Sequence, residues 1–337
     1  MKPKKQALPS LFWAGFDLAK ETFQMAVWGH QDFQAMELGS SPRVRKAMPE
    51  VLAWLRDHAP KGMSLAVVME ATATFAEDVG SWLLDLDPTL RVAIVNPCQT
   101  SAFVKSLGFR NKTDDLDAKA LAKYGQERNP VAWERPTPAM AILKDLVRTR
   151  ADLVRARTAM SNRLKDHKRS AETATAALKK VIQNLANQIK ALDKAIKAHL
   201  KAQTVMHHQV KRCQSIKGIG IVTATTVLAE LGDLTRFPRS RKLTAFAGVS
   251  PRKKESGTSV HGKTRMCKQG SGRVRAELFM AASNAARFNP DMKATYQNLL
   301  KRGKEPREAL GAIMRKLLVL MRAVLKADRD WVPRLSA

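Results

Sequence analysis

The sequence predicts a mixed α/β domain, then a long helical segment, then a mainly helical C-terminal domain. Three observations carry this. The first 130 residues alternate short apolar runs with amphipathic stretches, the pattern of a sheet with helices on its faces. From Thr137 to about Val210 apolar residues recur at heptad spacing instead. Charge divides in the same region: residues 1–130 hold 16 Lys and Arg against 15 Asp and Glu, whereas residues 131–337 hold 43 against 15, within a net charge of +29. A chain of 337 residues also exceeds the usual single core, and the expected domains are 1–130, 131–212 and 213–337.

Taken in order, Leu11 to Phe16 is a short strand ending at Asp17. Lys20-Glu21-Thr22 turns the chain into Phe23 to Trp28, and Gln34 to Leu38 is a third strand before Gly39, which completes an antiparallel meander. Ser41-Pro42 reads as a helix start, with Val44, Met48, Val51, Leu52 and Leu55 at helical spacing. Leu65 to Met69 is a buried strand ending at Glu70, Ala71 to Leu86 a helix, and Val92 to Val95 a strand closed by Asn96-Pro97. The next helix opens at Thr113-Asp114-Asp115-Leu116-Asp117, where Thr113 or Asp114 can cap and the acids complement the macrodipole.

Asp17 and Glu70 each stand just past the C-terminal end of an apolar strand, the usual ligand edge of such sheets. Asp114 and Asp117 share one helix face, while Asp115 points about 100° away. The plain reading makes these two turn acids and a helix cap. The functional reading brings four carboxylates to one edge, where like charges about 4 Å apart repel by roughly 4 kcal/mol at an effective dielectric of about 20. Such a group needs cations or protons. Oxygen ligands without His or Cys select Mg²⁺ or Mn²⁺, and two such ions suit phosphodiester chemistry.

In the helical segment, Leu146, Leu153 and Met160 are seven apart, and Ile182, Leu185, Ile189, Leu192 and Ile196 alternate spacings of three and four, with a break near Ser170 to Ala176. An antiparallel hairpin and a coiled coil between protomers fit equally. Arg155, Arg157, Arg163, Lys165, Lys168 and Arg169 lie off this seam, as a solvated face or one that tracks phosphates. Gly218 and Gly220 precede an apolar helix and resemble a helix-hairpin-helix DNA-binding element, although an interhelical turn has the same letters. Gly257 to Thr264 matches the G-x-x-x-x-G-K-[ST] phosphate loop. Its context excludes an NTP site, because Arg252-Lys253-Lys254-Glu255 precedes it where a buried strand is required, and Gly270 and Gly272 interrupt the stretch where its helix should run. A basic glycine-rich loop against nucleic acid, with Arg252, Lys253, Lys254, Lys263, Arg265 and Lys268, accounts for it. From Arg273 the chain is helical again, with a core stripe at Leu310, Ile313, Leu317, Leu320 and Val324.

No run of about 18 apolar residues occurs, which points to a soluble, cytoplasmic protein. Cys98, Cys213 and Cys267 are far apart, and His207-His208 are adjacent rather than at ligand spacing, so neither a disulfide framework nor a zinc site is supported. The cationic remainder makes nucleic acid the leading partner. A membrane surface fits less well, since the basic residues are not gathered beside one anchor.

Phe16-Asp17-Leu18-Ala19-Lys20, Met69-Glu70-Ala71 and Lys112 to Ala118 resemble the carboxylate motifs of the DEDD-type insertion-sequence transposases, a family of bridge-RNA-guided serine recombinases. Ala247-Gly248-Val249-Ser250-Pro251, Glu255-Ser256-Gly257 and Gly262 to Ala282 resemble that family's C-terminal domain, so the likeness runs from about Phe16 to Leu325. It implies an RNase H-like, Holliday-junction-resolvase-like first domain. It implies Asp17, Glu70, Asp114 and Asp117 as a tetrad for two Mg²⁺ ions, with Mn²⁺ as a substitute, and Ser256 as a nucleophile forming a covalent phosphoserine. It implies donor and target DNA and a bridge RNA as partners, and dimers that assemble to tetramers with the site shared between protomers. Met266-Cys267, Ser271 and Val249 depart from the family's more usual residues. Two other classes compete: a metal-dependent junction nuclease using the carboxylates and water, and a structural nucleic-acid binder needing no metal.

Overall fold

The computed structural model describes residues 11–27, 38–72, 74–108, 113–166, 171–256 and 260–333, with backbone alone for 38, 166, 253–256 and 260–263. Two compact units divide after Arg135.

The first unit is a five-stranded mixed sheet in the order β3-β2-β1-β4-β5, from β1 (Leu11–Leu18), β2 (Thr22–Val27), β3 (Leu38–Pro42), β4 (Ser64–Glu70) and β5 (Arg91–Val95). β1 to β3 form the expected antiparallel meander, and β4 and β5 add parallel to β1. Side chains alternate across the pleat. Phe12, Phe16, Val67 and Met69 face α1 (Met48–His58) and α2 (Phe75–Leu86), packing with Val51, Leu55, Val79 and Leu83. Trp13, Ala66 and Val68 face the other way, onto Leu121 of the helix that opens at Asp114.

Three expectations are corrected. The third strand does not end before Gly39: it runs from Leu38 through Gly39 to Pro42, while Trp28 and Gln34 lie outside the described residues. Ser41-Pro42 therefore does not open a helix. Pro42 sits on an edge strand, where a missing amide costs no ladder bond, and the helix begins after a 3-10 turn at Arg45–Ala47, with Pro49 in its first turn. Asn96-Pro97 closes β5 but also opens a helix that was not expected, α3 (Pro97–Ser106), capped by Asn96 accepting from the Cys98 amide at 2.9 Å. The expected helix from Thr113 is α4 (Asp114–Arg128), and Thr113 is its cap, accepting from the Leu116 amide.

The second unit begins with α5 (Pro138–Asp166) and α6 (Glu172–Ala202), an antiparallel hairpin within the chain. Arg150 bonds Asp193 at 2.6 Å, and the ring of His199 lies 2.8 Å from the Ala139 carbonyl. At its base Leu143, Val147, Ile196 and Leu200 join the core of α7 (Thr204–Gln214), α8 (Ile221–Leu231), α9 (Ser240–Phe246), α10 (Gly272–Phe288) and α12 (Pro306–Ala327). The segment 131–212 thus shares a core with the C-terminal helices. On α12 the expected stripe faces inward: Ile313, Leu317 and Val324 are buried, with Leu310 and Leu320 against them. α11 (Pro290–Lys301) and a two-stranded hairpin, β6 (Pro251–Ser256) with β7 (Val260–Met266), complete the unit. Among the described residues no helix is long and apolar enough to cross a membrane.

Candidate active site

Phe16 and Met69 are partners in the parallel β1–β4 ladder, so Asp17 and Glu70, one residue further along each strand, stand abreast at the C-terminal ends of central strands. By alternation both belong to the face of Trp13 and Val68, which α4 covers. α4 approaches this face closely because small residues line the contact. A Cβ on Gly15 would lie 2.2 Å from the Ala118 carbonyl oxygen and 2.3 Å from the Ala122 nitrogen; one on Gly125 would lie 2.6 Å from the Trp13 ring. Since Ala118 lies over Gly15 and Gly125 over Trp13, the helix runs antiparallel to β1. Its first turn, with Asp114 and Asp117, therefore reaches the Asp17 end.

Asp114 and Asp115 are exposed, whereas Asp17, Glu70 and Asp117 are half-buried. The Thr100 hydroxyl donates to Glu70 Oε1 and also lies 3.0 Å from the Pro97 carbonyl, which ties the carboxylate to α3. Arg43 Nε donates to the carbonyls of Ala19 at 3.1 Å and Lys20 at 2.9 Å, and its guanidinium stacks 3.9 Å from the Phe75 ring. It braces the turn immediately after Asp17. Thr100 and Arg43 were missed in the sequence, the former because its helix was missed; the Asn-Pro cap was the available signal. The donors at this edge are oxygens, which fits a hard divalent ion. They are brought to one end of one face but not into a single shell: among the described residues no three His, Cys, Asp or Glu side chains lie close enough to share an ion.

In the second unit, β6 runs from Pro251 to Ser256, and Ser256 pairs with Val260 at the far end of the hairpin. Gly257 to Ser259 lie outside the described residues, as do the side chains of Lys253, Lys254, Ser256 and Lys263. Gly262, Lys263 and Thr264 are in β7, not at a helix start, so the phosphate-loop letters have no phosphate-loop geometry. Of the expected basic glycine-rich loop, Val260 to Thr264 are strand and Gly257 to Ser259 lie outside the described residues; further glycines gather at the foot of the two strands. There Gly248 (φ +71°) turns the chain, Cys267 N donates to the Ser250 carbonyl at 2.8 Å, and a Cβ on Gly270 would lie 2.4 Å from the Phe246 carbonyl oxygen. Ser271 caps α10, accepting from the Val274 amide, and lies 3.2 Å from Glu230. Glu230 in turn takes a two-pronged bond from Arg148 of α5, at 2.7 and 3.3 Å. The Ala247 to Pro251 and Gly262 to Ala282 motifs are thus one interlocked support for the serine hairpin.

Arg252, Arg265 and Lys268 are exposed, and Arg252 and Arg265 are direct cross-strand partners. Like charges in that position cost stability unless an anion lies against them. Gly218 (φ +105°) packs on α10, where a Cβ would lie 2.9 Å from the Ala285 Cα, while Gly220 caps α8 and faces open space. Packing alone therefore requires Gly218.

Residues 14–171 match a family model described as "Transposase", of the DEDD group of IS110 elements, and residues 210–297 match the "Transposase IS116/IS110/IS902 family" model. The chain is 29% identical to the pilin gene-inverting protein of Moraxella bovis, over 96% of this chain and 98% of that one. It is 28% identical to the Moraxella lacunata protein of the same name over the same shares. It is 27% identical to the transposase for insertion sequence element IS1111A of Coxiella burnetii, over 76% of this chain and 73% of the relative. A carboxylate-edged sheet followed by a cationic helical unit, with these matches in both, defines a DNA transposase or recombinase. The chain belongs to the IS110 family of transposases.

Proposed function

We propose that this enzyme exchanges DNA strands between donor and target sites by a serine-mediated, metal-dependent reaction, with a guide RNA selecting the sites. The observation that carries the reading is the meeting of Asp17, Glu70 and the first turn of α4 at one edge of a mixed sheet, which we interpret as RNase H-like. The relatives' names, gene inversion and transposition, both describe DNA being cut and rejoined.

Asp17, Glu70, Asp114 and Asp117 would hold Mg²⁺ or Mn²⁺, which supplies charge stabilisation to a phosphodiester and to the oxygens entering and leaving it. Thr100 holds the Glu70 carboxylate in place. Ser256 Oγ attacks phosphorus; an Oγ–P bond forms, the bond to one DNA oxygen breaks, the serine proton passes to a base or water, and the departing strand oxygen takes up a proton. Rejoining reverses these steps with the incoming strand's hydroxyl, which releases Ser256. The β6–β7 hairpin presents the serine, and Arg252, Lys253, Lys254, Lys263, Arg265 and Lys268 neutralise the backbone on either side. Assembly of serine and carboxylates from different protomers, in dimers that pair to tetramers, accompanies this reading.

The test is denaturing electrophoresis of labelled DNA with the protein and its co-expressed RNA. Wild type is expected to give a protein-DNA adduct mapping to Ser256 by mass spectrometry. Ser256→Ala should abolish adduct and exchange but keep binding, and Asp114→Asn should abolish cleavage. Hydrolysis that survives Ser256→Ala would instead identify a junction nuclease working with water.

A further inference from the structure

A cleft of about 1680 Å³ opens in the second unit at the foot of the serine hairpin, between the ends of β6 and β7 on one side and α11 and α12 on the other. Sites for single small molecules are about 300 to 1,000 Å³. This one has room for a length of polymer.

Its lining is divided by chemistry. Met266, Met292, Leu299, Val319 and Leu320 supply an apolar floor, and Arg265, Lys268, Arg307, Arg315 and Lys316 a cationic rim. β7 meets α12 at Gly311, where a Cβ would stand 3.3 Å from the Met266 Cε. The rim's cations outnumber its acids: Asp291, Glu305 and Glu308 stand against Arg265, Lys268, Lys304, Arg307, Arg315 and Lys316, with Glu308 paired to Lys304 at 3.6 Å. The Lys316 ammonium donates to the Thr295 hydroxyl at 2.9 Å, a neutral partner that leaves its charge in place. The opposed Arg252 and Arg265 continue the cationic rim up the hairpin.

We propose that this cleft binds single-stranded DNA. A duplex offers phosphates but keeps its bases stacked inside, so it would satisfy the rim and leave the floor bare. A single strand lays its bases on the apolar floor while the rim tracks its backbone, the usual division of labour in single-strand sites. Methionine sulfur, here at the half-buried Met266, makes favourable contacts with flat π-systems. Deoxyribose and the thymine methyl suit the apolar residues of that floor, and the choice of DNA over RNA follows the strand-exchange reading. The strand leaving the cleft would run up β6 and β7, from the Pro251–Met266 pair to the Ser256–Val260 pair, about 17 Å at 3.4 Å per residue. The inference rests on the strand-exchange reading for its biological sense, but the binding itself does not require Ser256 or metal.

The experiment uses the full chain in EDTA, with fluorescein-labelled dT₁₂, a 12-base-pair duplex and rU₁₂ as probes. The dT₁₂ affinity is expected to fall at least tenfold in the double variant Arg307→Glu, Arg315→Glu, and equally in Ala312→Trp, which fills the cleft without changing charge. Duplex affinity should change less than twofold in Ala312→Trp. A 5-iodouracil dT₁₂ should crosslink wild type within residues 290–320, a result that does not depend on any variant folding. Crosslinks confined elsewhere, equal loss of dT₁₂ and duplex in Ala312→Trp, or tighter binding of rU₁₂ at this site would each overturn the assignment. Because no adduct is read, failure here is distinguishable from failure of the serine chemistry.

Discussion

Single side chains set how far each unit tolerates change. Gly15 is the sharpest case: with α4 backbone atoms 2.2 Å from where its Cβ would stand, the helix must retreat from the sheet. Gly15→Ala is expected to cost about 3 kcal/mol or more in urea unfolding, at the upper end of overpacking penalties. It should also displace Asp114 and Asp117 and lower cleavage beyond what stability explains. Glu230 is the counterpart in the second unit, its side chain only 6% exposed and held by Arg148. Burial pushes its carboxyl up, but the Arg148 bonds and charge, with Lys144 and Arg273, prevail and hold it below the ordinary carboxylate value of 4.5. A depressed folded pKa gives stability that is present above the unfolded value and lost as pH falls through the folded one. The advantage of wild type over Glu230→Gln should therefore be full at pH 7, where we expect about 3 kcal/mol, and shrink below about pH 4.5. Glu277 has the opposite sign: burial raises it and Arg150 only partly compensates, so Glu277→Gln should not show that acid-dependent loss. Denaturant titrations at pH 7 and at pH 4 decide both.

At the scale of elements, the features legible in the sequence were the periodic ones, and the illegible ones depended on neighbours. Strands β1, β2, β4 and β5 and helix α4 were legible because apolar runs and caps are local. Exposure follows helical phase only in part: Asp117 is half-buried at the sheet edge, but Asp114, on the same helix face by spacing, is exposed as Asp115 is. The proline at 42 misled because a proline is equally at home in a helix first turn and on a sheet edge, and only the strand order shows that β3 is an edge. Whether the heptad seam closes within the chain was undecidable from spacing, since an intramolecular and an intermolecular seam have the same letters. The interlock of Gly270 with Ala247 and Gly248, likewise, is a contact between distant residues. The seam itself is uneven. Leu200 and Ile196 are buried at its base, while Ile182 and Leu185 are only half-buried along its arm. Leu200→Ala is accordingly expected to cost about 2 to 5 kcal/mol, as a core truncation does, and Ile182→Ala less than half as much. Equal losses in thermal or urea unfolding would mean that the arm is packed as tightly as the base.

Across the whole molecule, the clustered carboxylates and the excess positive charge fall in different units, and this separates what can be lost from each. The first unit has its own core under a nearly neutral surface, and the second has its own core beneath most of the excess positive charge. Phosphate contacts that release counterions should therefore come from the second unit. On duplex DNA the logarithm of the binding constant falls with log salt by about 0.9 for each phosphate neutralised, so the slope counts contacts. The fragment 136–337, which begins at the unit boundary, is expected to keep nearly the slope and affinity of the full chain for duplex DNA, and the fragment 1–135 to bind weakly with a shallow slope. Substitution of Asp17 and Glu70 by Asn and Gln in the full chain should leave that slope unchanged while abolishing cleavage, because those residues neutralise no phosphate. Salt titrations by fluorescence anisotropy between low and physiological ionic strength give all three slopes. A front fragment that binds duplex as tightly and as salt-dependently as the whole chain would show that the carboxylate sheet grips DNA itself, and would return the cationic unit to the role of a solvated scaffold.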